Sequence, residues 1–281
     1  MPRATNFLLY FVCFLFLPLS CNKTEKTAVQ KSEIVQIAFD GQPRKIMINL
    51  IDYQSPFTIL LEAGGGQDSK AWSTIQDSIA EATKMNVISY DRLGWGESEL
   101  GPENLLPQDE MKILNDLLIT LKMNTNLVLV GHSYGGLLIH LYSMLHPEDV
   151  KGMLLIDPMN TRFVEKFGLE RLKATFPRIE NPKTKMEKAM SRLQNQFSSV
   201  VEIMKGKELI KDIPVVLISV GSPPLDDTVE DINSWKTSHE EMVSFSNQHK
   251  LAYLKENTHN VVQENPKEIV KQLLFIVDSV R

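Results

Sequence analysis

The sequence predicts an α/β protein built on one mostly parallel, doubly wound sheet of eight strands, with a cap-like helical segment inserted before its last two strands. Three observations carry this prediction. Short continuous apolar runs, of the kind buried on both faces, alternate with amphipathic stretches of helical period, as in 58–61 before 70–83 and 86–90 before 108–122. A β-rich run at 127–130 breaks at Gly131-His132-Ser133-Tyr134-Gly135 and gives way at once to a helical pattern over 136–146. The alternation then stops near 159 and resumes near 214, leaving a charge-rich helical insertion over about 159–211.

Composition narrows the function classes. With 281 residues, 43% of them hydrophobic, the chain has the material for one large core with an insertion. The net charge is -5, and no stripe of arginine and lysine of the kind a phosphate backbone requires is present, so nucleic acid is not an expected partner. No dinucleotide or phosphate-cradling motif calls for a cofactor, and no metal is expected.

The first 21 residues read as a signal rather than as fold. Arg3 precedes an apolar run over 7–19 that is too short to span a bilayer, and Ser20 supplies a small residue directly before Cys21. This resembles a bacterial lipoprotein signal, which would make Cys21 the acylated first residue and the protein extracytoplasmic. An ordinary secretory peptide cleaved nearby is the alternative. The polar stretch 22–31 reads as a tether, leaving 32–281 for the domain. The only other cysteine, Cys13, lies in the signal, so disulfides, zinc-thiolate sites and a cysteine nucleophile are excluded from the mature body.

Taken in order, 34–39 and 45–51 are strands joined across the turn cluster Asp40-Gly41-Gln42-Pro43, an antiparallel opening to the sheet. The runs 58–61, 86–90, 127–130 and 150–156 follow as parallel strands separated by helices. Inside the insertion, 163–172 and 185–205 have helical period, with Met186, Met190, Phe197 and Met204 read as packing. The sheet resumes with 214–220, a long helix over 231–248 carries Trp235, Met242 and Phe245 on an apolar side, and a strand at 251–254 precedes the closing helix 266–280. In such sheets ligands bind beyond the carboxyl ends of the strands, so chemistry is expected there.

The G-x-S-x-G at 131–135 puts Ser133 on a sharp strand-to-helix turn, with the amide of Tyr134 at a helix N-terminus able to face a developing negative charge. Together with Asp91-Arg92-Leu93-Gly94-Trp95-Gly96-Glu97-Ser98, the Gly64-Gly65-Gly66 run and His259 before the last helix, it resembles the α/β-hydrolase family over nearly all the chain after residue 30. The resemblance implies Ser133 as nucleophile, His259 as base, and the amides of Gly64 and Tyr134 as an oxyanion hole. The acid is Asp157, after strand 150–156, or its rival Asp226, after strand 214–220; Asp157 ranks first because the following long helix resembles a branch in which the later acid is often missing. Asp91 and Arg92 are expected to form a structural ion pair, with Trp95 at the pocket edge. His132 reads as buried beside the turn, His140 and His146 as belonging to its helix, and His239 and His249 to the long helix.

The reading is a cofactor-free serine hydrolase, carboxylesterase-like, acting on a small-molecule ester or related acyl bond through a Ser-His-Asp triad. Serine at 133 argues against relatives that use an aspartate nucleophile, such as dehalogenases and epoxide hydrolases. A peptidase, a lactonase, a carbon-carbon bond hydrolase and a non-catalytic ligand-binding protein on the same fold remain open.

Overall fold

The computed structural model describes residues 27–176, 178–224 and 228–281. The predicted signal with Cys21, the first half of the tether (22–26), and Asp226 lie outside the described residues.

β1 (Val29–Phe39) and β2 (Gln42–Asp52) form an antiparallel hairpin. Asp40 and Gly41 turn it with φ of 51° and 67°, the pair of left-handed residues that a tight two-residue hairpin needs. β1 takes in residues 29–31, which the sequence places in the tether. They sit on an exposed edge strand, where backbone pairing with β2 suffices and their side chains stay in solvent. β3 (Thr58–Glu62), β4 (Asn86–Tyr90), β5 (Leu127–His132), β6 (Val150–Ile156), β7 (Val215–Ser222) and β8 (His249–Thr258) complete one sheet in the order β1-β2-β4-β3-β5-β6-β7-β8. Only the β1–β2 and β2–β4 pairings are antiparallel.

Every residue of β3, β4 and β5 is buried, which is why these strands read as unbroken apolar runs. Alternate residues serve opposite faces. Ile59, Leu61, Val128 and Val130 pack with Ile79 of α1 (Gln76–Thr83) and Leu273 of α9 (Pro266–Val280). Leu60, Leu127 and Leu129 pack with Leu114 of α2 (Pro107–Thr120) and Leu137 of α3 (Tyr134–Leu145). Fully burying each such side chain is worth about 1.5–3 kcal/mol, so the two-faced sheet is the main source of stability. From β3 the chain runs outward to β4 and then crosses back to β5, so the winding reverses between β3 and β5. In open α/β sheets ligands bind at such a switch point, beyond the carboxyl ends of the strands.

Between β6 and β7 lie α4 (Thr161–Phe167), α5 (Leu169–Ala174) and α6 (Lys185–Met204). The single helix expected over 163–172 is split by Gly168 at φ 97°, a conformation no helix interior holds. The helix expected over 70–83 is likewise a short 3-10 helix, Ser69–Trp72, followed by α1. α7 (Val229–Val243) ends before the expected 248: Phe245 lies beyond it, 44% exposed beneath the Arg162 guanidinium, and His249 opens β8. Met186 is exposed rather than packed. α8 (Val261–Glu264) leads into α9. Among the described residues no helix is long and apolar enough to cross a membrane.

Candidate active site

Ser133 stands between β5 and α3 with φ 55° and ψ -122°, a backbone state that costs a non-glycine residue on the order of 1–3 kcal/mol. The surroundings enforce it. Ser133 donates its N–H to Ile156 O at 3.0 Å, and its carbonyl accepts from Met159 N at 3.0 Å, so the turn is laced to the end of β6. The flanking glycines have no room for a side chain: a Cβ on Gly135 would lie 2.5 Å from the carbonyl oxygens of Glu62 and Ala63, and one on Gly131 would lie 2.7 Å from Gly135 O. As the first residue of α3, Tyr134 has its amide among those without an intrahelical acceptor.

Asp157 follows β6 with φ 41° and is fully buried. Its Oδ2 accepts from His259 Nδ1 at 2.6 Å, and its Oδ1 accepts from Trp235 Nε1 at 2.8 Å and from Val220 N at 3.2 Å. Burial pushes this carboxyl up, but the hydrogen bond and charge of His259, with help from His239 and Trp235, outweigh it and hold its pKa below the ordinary carboxylate value. Because a carboxylate only accepts, His259 carries its proton on Nδ1, which leaves Nε2 as the basic nitrogen of the neutral ring.

His259 is fixed on three sides. Its N–H donates to Ser222 O at 3.0 Å, its carbonyl accepts from His132 Nε2 at 2.8 Å, and its ring is held by Asp157. The pairing of β7 and β8 is irregular here: β8 takes a detour between Leu254 and Thr258 while β7 advances only from Val220 to Ser222. Such a bulge re-aims the strand end. His132, whose ring centroid lies 4.6 Å from that of His259, is pushed down to about 4 by burial and by His259, so it stays neutral and donates from Nε2. Ser133 and His259 thus share one edge of the sheet, although no hydrogen bond joins their side chains.

The 62–66 loop after β3 is held by Arg92. Its guanidinium pairs with Glu62 and donates to Ala63 O and Gly64 O, each at 2.7 Å. The expected Asp91–Arg92 pair does not form. Adjacent residues leaving a strand point apart, so Arg92 turns to the loop, while Asp91 accepts from Ser69 N and Glu97 N at 2.8 Å each and fixes its own loop. Tyr90 also donates to Glu62, and burial still pushes the Glu62 carboxyl up. Gly64 N, the second amide singled out by the sequence, donates to Gln67 Oε1 at 3.1 Å. Trp95 is buried in the core rather than at a pocket edge.

α6 covers this edge. A Cβ on Gly66 would meet Met190 Cε at 3.0 Å, and one on Gly65 would lie 3.4 Å from both Leu193 Cδ2 and Tyr134 Cβ. Arg192 donates to Leu93 O, Leu100 O and Pro102 O, and Lys185 donates to Gly96 O at 2.6 Å and Ser98 O at 2.8 Å, tying the insertion to the loop after β4. Sequence reasoning missed Trp235 and Gln67 as neighbours of the site, and missed the pairing of Glu62 with Arg92. Trp235 read as an apolar-face residue, and only its indole N–H, a donor that must be satisfied when buried, signalled a polar partner. Among the described residues no cluster of His, Cys, Asp and Glu could hold a metal.

Comparison with known proteins agrees with this architecture. The family model described as the alpha/beta hydrolase fold matches residues 58–190. The chain is 26% identical over 214 residues to the uncharacterized protein YqjL of Bacillus subtilis (strain 168), a match covering 75% of this chain and 80% of that protein. It is 29% identical over 126 residues to a proline iminopeptidase of Lactobacillus helveticus, over 42% of this chain and 41% of that enzyme. Among solved structures, a thermophilic esterase from Thermogutta terrifontis superposes with a TM-score of 0.63 and 16% identity, over 88% of this chain and 99% of that one, a likeness of fold.

Proposed function

We propose that this chain, whose residues 58–190 match the family model described as the alpha/beta hydrolase fold, is a serine hydrolase cleaving an ester or related acyl bond of a small molecule through an acyl-enzyme. Hydrolytic relatives support the general class. The finer reading is carried by one observation: His259 Nδ1 bonds Asp157 Oδ2 at 2.6 Å on the sheet edge where Ser133 is held at φ 55°.

In this reading Ser133 Oγ attacks the acyl carbon as His259 Nε2 takes its proton, while Asp157 keeps the imidazole in the required tautomer and faces the imidazolium that forms. The carbonyl electrons move onto oxygen, which the amides of Tyr134 and Gly64 receive; Gly64 does so once Gln67 releases it. The tetrahedral centre then expels the leaving group, which takes the proton from His259. Water repeats the sequence on the ester of Ser133 and returns the free acid. The side chains of α6 over Gly65 and Gly66 bound the acyl site and select the substrate.

Hydrolysis of a short-chain p-nitrophenyl ester tests the reading. A first-turnover burst equal to the enzyme concentration, then steady turnover, with both lost in Ser133→Ala, is the expected result. Absence of turnover over a panel of esters would instead favour a ligand-binding protein. That rival draws on two observations, the unbonded Ser133–His259 pair and the occupied Gly64 amide.

An extracytoplasmic protein anchored by lipid at Cys21 completes the proposal. Its motivation is the Ser20-Cys21 boundary after an apolar run. Incorporation of labelled palmitate, lost in Cys21→Ala, checks it; unlabelled protein with a free amino terminus near residue 21 would support simple secretion.

A further inference from the structure

We propose that Trp235 is a positioning residue for this reaction, holding Oδ1 of Asp157 so that Oδ2 faces His259, and that His239, one helical turn further on, fixes the turn bearing the acid. This rests on the serine hydrolase reading above.

An indole N–H donates and cannot accept, and Trp235 is only 1% exposed, so its N–H needs an acceptor inside the protein. It finds Asp157 Oδ1 at 2.8 Å. Among the described residues the only other donor to that oxygen is Val220 N, at the longer distance of 3.2 Å. A carboxylate rotates readily about its terminal torsion, and His259 needs one oxygen in one place. The indole supplies the second fixed point. Its ring is held independently, edge-on to Phe163 with centroids 4.9 Å apart, so the donor is set by packing and not by the acid.

His239 extends the hold to the backbone. It is completely buried; Nε2 donates to Pro158 O at 2.8 Å, so Nδ1 is the acceptor and takes the Ser219 hydroxyl at 2.9 Å. Ser238 reaches the same segment, where Asn160 Nδ2 donates to its Oγ at 3.0 Å. Asp157 sits in this segment at φ 41°, a conformation that persists only where neighbours over-determine it. His239 Nδ1 is 3.9 Å from Asp157 Oδ1, and burial lowers its pKa. α7 is therefore a second-side support for the acid, brought from a part of the chain far from Asp157 in sequence.

The test is Trp235→Phe in the full chain, which keeps a ring against Phe163 and removes the donor. With a p-nitrophenyl ester, kcat is expected to fall about tenfold to a hundredfold with KM within about twofold, as a hydrogen bond to a charged group implies. In an Asp157→Asn background the same substitution is expected to cost nothing further. A packing role would leave kcat unchanged, or would lower activity and thermal midpoint together and by the same factor in both backgrounds; either result overturns the proposal. Should the parent protein neither turn over nor label with a fluorophosphonate, the hydrolase reading fails by itself. The hold on the acid is then read by proton NMR. A low-field His259 Nδ1 proton shifted or broadened in Trp235→Phe supports it, and an unaltered resonance contradicts it.

Discussion

The amide of Gly64 and the side-chain oxygen of Gln67 are hydrogen-bonded at 3.1 Å across a tight turn, so the N–H that the proposed chemistry aims at an oxyanion already holds an amide oxygen. In the proposed chemistry substrate displaces it. Gln67→Ala removes this competitor and is expected to raise the fluorophosphonate labelling rate about twofold to tenfold, the worth of one neutral hydrogen bond. A slower rate would mean that Gln67 assists the reaction instead.

Arg92 and Glu62 are both buried, and Arg92 also carries the Ala63 and Gly64 carbonyls. Arg92→Met strands the Glu62 carboxyl and is expected to cost about 3–5 kcal/mol in urea denaturation. Replacing both, Glu62→Leu with Arg92→Met, should recover much of that loss. A double variant no more stable than the single one would show that the backbone contacts, and not the ion pair, dominate.

The chemistry-bearing positions differ in how openly the sequence displays them. The central strands β3 to β6 are legible because burial on both faces demands apolar runs, whereas the more exposed β1, β2 and β8 show only as short runs beside turn residues; Ser133 and His259 stand out as candidates through chain order and turn chemistry. Ranking Asp157 over Asp226 needed resemblance, since either strand end offers a carboxylate; the structure puts Asp157 against His259, while Asp226 lies outside the described residues. Pairing is less legible. Arg92 beside Asp91 in sequence suggests a local pair, but strand geometry sends it to Glu62, thirty residues back. Trp235 and Phe245 look alike as apolar residues of one helix, yet one bonds the acid and the other lies beyond the helix end. Gly168 was readable as a break, and helical period on both sides concealed it.

His140 lies on α3, 5% exposed, with Nε2 bonded to Glu208 O at 3.2 Å, and burial pushes its pKa down from 6.5 to about 4. Its folded pKa is thus below the unfolded one. Between those values the unfolded chain binds a proton that the folded protein does not, so stability is full above pH 6.5 and falls as pH falls through this window. His140→Gln removes the term. Relative to that variant, the parent protein should lose about 2 kcal/mol more between pH 7 and pH 5 in chemical denaturation. Parallel profiles would mean that His140 titrates normally in the folded state.

In the proposed mechanism Ser133 is activated by His259 held by Asp157. Mass spectrometry after fluorophosphonate treatment tests it most directly, because the reagent marks a serine only where a working base removes its proton. One adduct is expected, on Ser133, abolished in His259→Ala and slowed by orders of magnitude in Asp157→Asn. Well-folded protein that stays unlabelled, or that labels equally well without His259, would contradict it.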